Sequence, residues 1–404
     1  MGFTPETGKA IEKAFVEGPK AFVVDGKFGN GARLSQKIEP INAIQAYVTA
    51  GTTYPAEDKE FEKKLAKSAY DLIHKPKPGL YDDTKAALTS VSKSCAKFKK
   101  SSLDELVSYP TIIIGYCNNA IDAIEGKRTG LKEQLDILGD EKYEAEGSEK
   151  DKEFQRAKKL AEYDLDKMIK EAKANSAKAT AIKTKLTDFK SETDTNKGLV
   201  KALNSTYSGK VMWEGKSYNS VLEFMDGELG ELEAKVTKKK DDQEKAEKEF
   251  KENMDPKKWK FWSNALTVLS GPAGALQYSA DIIKEGKEWV KLLKEWEDSK
   301  SAKAKVASCR CSIAALDSHL PILVQKMDDA IKGMGMLGKT FDDQVLELGH
   351  VKDKLTETNE NIGREGILRG ILIRGGVEEA AIKYKEIKKL ADKFHTDVRM
   401  YSTS

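Results

Sequence analysis

The string Gly333-Met-Gly-Met-Leu-Gly-Lys-Thr340 fits the pattern G-x-x-x-x-G-K-T, and Gly333, Gly335 and Gly338 also fit G-x-G-x-x-G. Both patterns bind phosphate in one way: a strand delivers a glycine loop to a helix N-terminus, whose N–H groups cradle the anion. The surrounding residues do not supply that route. The approach, Gln325 to Lys332, is charged and helical in its spacing, with no strand before it. Ala21-Phe-Val-Val-Asp25 resembles the second strand of such a nucleotide site, but it lies far upstream and stands alone. The stretch is therefore predicted to be a helix softened by glycine where it packs on a neighbour, not a nucleotide site.

No other reactive constellation assembles. Cys95, Cys117, Cys309 and Cys311 are too few for a disulfide scaffold, and Cys309 and Cys311 stand only two positions apart. His74, His319, His350 and His395 are scattered, with no H-x-x-x-H pair of the kind that builds a metal site. The many Glu/Lys pairs at i,i+4 are what an exposed helix carries in any case. No catalytic residue, metal or cofactor is expected, and the chain is not read as an enzyme.

The elements that would position any site are helices. Charged residues make up 33% of the 404 residues and hydrophobic ones 39%, which suits long amphipathic helices better than buried parallel strands. The formal net charge is only +3, which argues against a dedicated nucleic-acid binder with its basic face. No proline occurs in the 145 residues between Pro110 and Pro256, and none follows Pro321. Because an interior proline costs a helix about 3 kcal/mol, these tracts permit unusual length. The start, MGFTPETGKAIEKAF, lacks the apolar core of a secretory signal, and Glu6 breaks the myristoylation pattern. A soluble product without a signal peptide is the expectation.

Residues 1–148 read as shorter helices set apart by Gly and Pro, at Gly26–Gly31, Tyr54-Pro55 and Lys75-Pro-Lys-Pro-Gly79. The short apolar runs 21–24 and 111–114 do not recur at βαβ spacing. From Glu149 to Tyr207 the residues Phe154, Ala157, Ala161, Leu165, Met168, Ala172, Ala179, Ile182, Leu186 and Phe189 share one helix face. A continuous helix there would be about 88 Å long. A break at Ser208–Lys216 precedes a predicted helix at Tyr218–Met254. A further helix is predicted at Glu285–Thr356, marked by Val306, Ile313, Leu316, Leu320, Met327, Ile331, Phe341, Val345 and Leu348, and a last one at Glu365–Arg399. The fold class is all-α: an elongated bundle of long antiparallel helices with a small apolar head at one end. The tail is assigned to 1–250 and 291–404, and the head to 251–290.

Phe261 to Ala280 is 20 consecutive uncharged residues in this heavily charged chain, cut in half by Gly271-Pro-Ala-Gly274. Each arm is too short to span a bilayer as a helix, so a compact apolar hairpin follows. Lys257, Lys258, Trp259, Lys260, Phe261 and Trp262 border it on one side, and Tyr278 and Lys284 on the other. Aromatic rings beside lysines suit a membrane interface. A buried hairpin capping the bundle is the competing reading. Position between two long helices, where little protein remains to cover an apolar turn, favours the membrane. The membrane-inserting residues are predicted to be Trp259, Phe261, Trp262, Leu266, Val268, Leu269, Leu276, Tyr278, Ile282 and Ile283. Gly363 to Gly376 contains G-x-x-x-G at Gly366 and Gly370 and reads as close helix packing.

Long helices with an apolar element between two of them resemble the α-helical pore-forming toxins of the cytolysin A type. That group includes the haemolysin BL and non-haemolytic enterotoxin components and the XaxA/YaxA-type cytotoxins. The resemblance is architectural, over roughly 100–400, and carries only Trp259 to Ile283 across as the head. It implies a soluble, released protein whose head inserts in a target-cell membrane. It also implies homo- or hetero-oligomerisation in the pore, with a second toxin component as a possible partner. The alternative is a non-enzymatic coiled-coil scaffold or membrane-binding tether.

Overall fold

The computed structural model describes residues 38–74, 76–127, 129–143, 150–225, 302–357 and 365–399. In chain order these form α1 (Ile38–Gly51), α2 (Asp58–Lys64), a 3-10 turn at Lys67–Tyr70, α3 (Asp71–His74) and α4 (Leu80–Phe98). A π-helical turn at Lys99–Leu103 leads into α5 (Asp104–Glu125), then α6 (Leu131–Leu138) and a second 3-10 turn at Glu141–Tyr143. The long helix α7 (Lys152–Ser208) follows, then β1 (Val211–Trp213), β2 (Lys216–Tyr218), α8 (Val221–Met225), α9 (Ala302–Glu357) and α10 (Glu365–Arg399).

The α7 helix has 57 residues, about 86 Å at 1.5 Å per residue. Its start is fixed by Asp151, whose Oδ1 accepts the backbone N–H of Glu153 at 2.7 Å and of Phe154 at 3.4 Å, an N-cap. Those N–H groups hold the Asp151 carboxyl below its ordinary range. All ten residues of the predicted α7 stripe are buried. The α9 helix spans 56 residues, and its positions Val306, Ile313, Leu316, Leu320, Met327, Phe341 and Leu348 are buried as expected, while Ile331 and Val345 are half-buried. Among the described residues the fold is all-α apart from one hairpin, in which Val211 pairs with Tyr218 and Trp213 with Lys216. Glu214 (φ 49°) and Gly215 (φ 77°) close it, both in the positive-φ region that a two-residue hairpin turn requires.

The described residues group into two units. One takes its residues from 107–183 and 332–397. There, α7 and α9 run antiparallel: Lys352 bonds Asp166 at 2.7 Å, while Gly338 lies against Ala179 and Ser176. The α5 and α10 helices are antiparallel too, through Thr111 with His395 and Glu125 with Lys385. Tyr116 sits at the centre, its ring edge-on to Phe341 (5.2 Å) and Tyr384 (5.8 Å). Tyr384 donates to Gln344 Oε1 at 2.6 Å.

The other unit takes its residues from 39–106 and 184–331. Its α1 is buried almost throughout, from Ile41 to Val48. The α4 and α7 helices run antiparallel, joined by Lys97 with Glu192 and Ser90 with Asn196. Phe98 stacks on Phe189 with centroids 4.1 Å apart. The same stretch of α7 meets α9 through Lys190 with Asp328 (3.2 Å) and Asn204 with Asp317 (2.8 Å).

Two prolines stand inside helices, and one break differs from expectation. Pro110 and Pro321 lie inside α5 and α9. Burial along those helices outweighs the local penalty, so proline does not mark an end here. The apolar run 111–114 is helical within α5. The break after α7 is the β-hairpin, so Tyr218 closes a strand and the next helix begins at Val221. The predicted helical residues 226–254 and 285–301 and the apolar head at 251–290 lie outside the described residues.

Candidate functional site

Trp259, Phe261, Trp262, Leu266, Val268, Leu269, Leu276, Tyr278, Ile282 and Ile283 all lie outside the described residues. The described chain stops at α8 on one side of this segment and resumes at α9 on the other. Around those two ends the second unit is tightly built. Val221, Leu222 and Met225 of α8 are buried, and α8 contacts α3 and β2. Tyr218 and Phe224 meet edge-on at 5.3 Å.

Beneath them Tyr207, near the end of α7, carries a buried hydroxyl relay. Thr84 donates to Leu80 O at 2.6 Å, so its oxygen must accept from the Tyr207 hydroxyl 2.9 Å away. Tyr207 in turn accepts from Tyr70 at 2.5 Å. Each proton has one acceptor, so the relay is satisfied. Burial pushes the Cys309 thiol beside it up to about 12, and raises the Tyr70 and Tyr207 phenols well above their ordinary range. Cys95 and Cys117 are likewise pushed up to about 12 by burial. All four cysteines are buried, and the raised Cys95, Cys117 and Cys309 are the opposite of a reactive thiolate, whose pKa is depressed. Burial also drives the His319 imidazole down to about 4, so it is neutral at pH 7. Among the described residues no group of three His, Cys, Asp or Glu could hold a metal. Among them, too, no helix is long and apolar enough to cross a membrane.

No family model and no curated protein matches the sequence. Solved structures do match. The Bacillus cereus HblL1 toxin component aligns over 92% of this chain and 95% of its own, with 13% identity and a TM-score of 0.52. The chain's fold is similar to that of a toxin component. SmhA, of the tripartite α-pore-forming toxin Smh from Serratia marcescens, covers 91% of this chain and 94% of its own at 10% identity and a TM-score of 0.47. XaxA from Xenorhabdus nematophila covers 91% and 97% at 11% identity, with a TM-score of 0.35. At these identities the likeness is one of architecture, and the HblL1 match carries it.

Within this toxin-component-like fold the phosphate-loop pattern has a packing role. Gly333 to Thr340 lies entirely inside α9, where the backbone N–H groups are spent on the helix. A Cβ at Gly338 would sit in ordinary contact with Ala179 Cβ, 3.6 Å away, so this glycine lies where α9 faces the small residues of α7. Thr340 is buried and returns its hydroxyl to Met336 O at 2.8 Å. Gly366 and Gly370 fall within α10.

Two surface features carry side-chain chemistry that the sequence reading passed over. Between α4 and α7 runs a polar groove of about 640 Å³, lined by Thr89, Ser90, Ser94 and Asn196 and rimmed by Lys85, Lys93 and Lys97. Its floor is internally bonded, Ser90 to Asn196 (2.7 Å) and Asn196 to Ser94 (2.9 Å). A smaller cavity of about 220 Å³ lies among Lys67, Tyr70, Ile73, His74, Lys77, Leu80 and Tyr81. Its sequence signal is the Lys75-Pro-Lys-Pro-Gly79 string, legible as punctuation only.

Proposed function

We propose that the chain is a component of an α-helical pore-forming toxin, inserting into a target-cell membrane through Trp259–Ile283 and oligomerising there. One observation carries this reading. A fold similar to the HblL1 toxin component holds, between α8 and α9, an interruption containing 20 uncharged residues in a chain that is 33% charged. The HblL1 structure is described as one component, so we assign this chain at least one companion. Transfer of the tip from water to lipid supplies roughly 25 cal/mol per Å² of apolar surface. The inserted backbone must satisfy its own polar groups, which requires helix or closed barrel. The head is proposed at 251–290, with the flanking segments as tail, and the protein acts after release from its source cell.

Light scattering and negative-stain imaging before and after detergent test the oligomerisation step. A monomer converting to rings supports the toxin. A dimer of unchanged mass with and without detergent overturns it in favour of a scaffold.

A further inference from the structure

The cavity at Lys67–Tyr81 is built from an apolar floor and a cationic rim. Tyr70, Ile73, Leu80 and Tyr81 form the floor and are buried. Their polar atoms are turned away: the Tyr70 hydroxyl bonds Tyr207, and the Tyr81 hydroxyl donates to Leu65 O at 3.0 Å. A ligand therefore meets ring carbon and methyl groups below, and polar recognition falls to Lys67, His74 and Lys77.

That rim is held by the backbone. Lys77 N–H donates to Ile73 O at 2.9 Å, and Leu80 N–H to Lys77 O at 3.4 Å. Gly79 takes φ 86°, a turn that residues with a Cβ avoid. The loop thus fixes Lys77 beside the end of α3. Lys67 Nζ lies 5.9 Å above the Tyr81 ring centroid and 3.5 Å from the exposed Asp82 carboxylate. Among the described side chains no carboxylate pairs with Lys77, while Lys67 is shared with Asp82, so the rim offers one unpaired and one paired lysine beside the carboxylates that act on Tyr81.

The chemistry narrows the ligand. A volume of about 220 Å³ is below the 300–1,000 Å³ or so of a whole small-molecule site, which excludes a nucleotide. An apolar floor offers sugar hydroxyls nothing to bond. A quaternary ammonium would be repelled by the lysines. What fits is a phosphate ester at the rim with an apolar glyceryl ester behind it. The α8 helix packs on α3, one of the elements that line the cavity.

We propose that this cavity binds the phosphate of an anionic glycerophospholipid headgroup. The choice of lipid over free phosphate rests on the membrane reading above; the phosphate site itself does not.

The test is calorimetric titration of the full chain with dihexanoyl phosphatidylglycerol below its micelle concentration. Dihexanoyl phosphatidylcholine, glycerol 3-phosphate and inorganic phosphate serve as comparison ligands. Phosphatidylglycerol is expected to bind best, with a loss of about tenfold or more in Lys67→Ala/Lys77→Ala, the scale of lost charge-assisted contacts. The control Lys93→Ala/Lys201→Ala, of equal charge change, keeps wild-type affinity, and circular dichroism melting checks that each variant folds. Absence of phosphatidylglycerol binding, or equal loss in both double variants, overturns the site. Inorganic phosphate binding as tightly as the lipid overturns the lipid assignment. Headgroup binding by a chain that stays a dimer of unchanged mass in detergent would leave the site standing and remove the pore. Leakage without headgroup binding would do the reverse.

Discussion

The hydroxyl of Tyr207 lies 2.5 Å from that of Tyr70, 137 positions earlier in the chain. It ties the end of α7 to the 3-10 turn before α3. The direction of the relay, Tyr70 to Tyr207 to Thr84 to Leu80 O, makes its two phenols unequal. Tyr207 is both acceptor and donor, whereas Tyr70 only donates within it.

Tyr207→Phe removes the donor to Thr84 and the acceptor of Tyr70, leaving Tyr70 only Cys309 and Thr84, and is expected to cost about 1–3 kcal/mol. Tyr70→Phe leaves Tyr207 its acceptor and is expected to cost about 1 kcal/mol or less. Urea unfolding of the two variants measures the difference. Equal losses would contradict the relay's direction.

At Gly338 the close approach of α9 to α7 leaves an added Cβ in ordinary contact, 3.6 Å from Ala179 Cβ. Gly338→Ala is therefore predicted to be neutral or to stabilise by up to about 1 kcal/mol through helix propensity. Gly338→Leu overpacks the same contact and is expected to lose about 1–3 kcal/mol. ATP with magnesium should leave the melting temperature of wild type and Lys339→Ala unchanged. A nucleotide-dependent shift that Lys339→Ala abolishes would restore the phosphate-loop reading.

How much of this was legible varied with the residue type at each position. The α7 stripe from Phe154 to Phe189 was readable because apolar residues at three- and four-residue steps can face only one way. The same buried face continues through Thr193, Asn196 and Asn204, which hydrophobic periodicity does not register. Each is satisfied: Thr193 by Phe189 O, Asn196 by Ser90 and Ser94, Asn204 by Asp317. Pro321 lies inside a predicted helix and stands inside α9, because packing over a long helix outweighs one lost hydrogen bond. The hairpin at 211–218 was missed since Glu-Gly is a weak turn signal beside Asn-Gly or Asp-Gly. The cavity at Lys67–Tyr81 was missed because its two halves become neighbours only once the loop at 76–79 closes. The apolar segment was legible as composition, and its role stands as a proposal.

Acid affects two buried groups in opposite directions. His319 is driven down to about 4 by burial, so between its ordinary value near 6.5 and 4 the unfolded chain binds more protons, and stability falls as pH drops through that window. Asp164 is raised to about 6 by burial, an effect partly offset by Lys167. The native state therefore binds more protons from about pH 6 downward, and stability gained from this group rises on acidification. Unfolding by urea at pH 7 and pH 5 should show a smaller acid loss in His319→Gln than in wild type. It should show a larger one in Asp164→Asn. Identical slopes in all three proteins would contradict both assignments.

The central claim is that the segment around Gly271–Gly274 enters lipid. A carboxylate placed in a bilayer core costs about 3 kcal/mol relative to leucine on insertion scales, whereas the same change at an exposed helix position costs little. Leu346, 57% exposed on α9, provides that control. The deciding measurement is dye release from phosphatidylglycerol-containing liposomes by wild type, Leu269→Glu and Leu346→Glu. Release by wild type and Leu346→Glu, with at least a tenfold loss in Leu269→Glu, is the predicted result. Undiminished release by Leu269→Glu contradicts it.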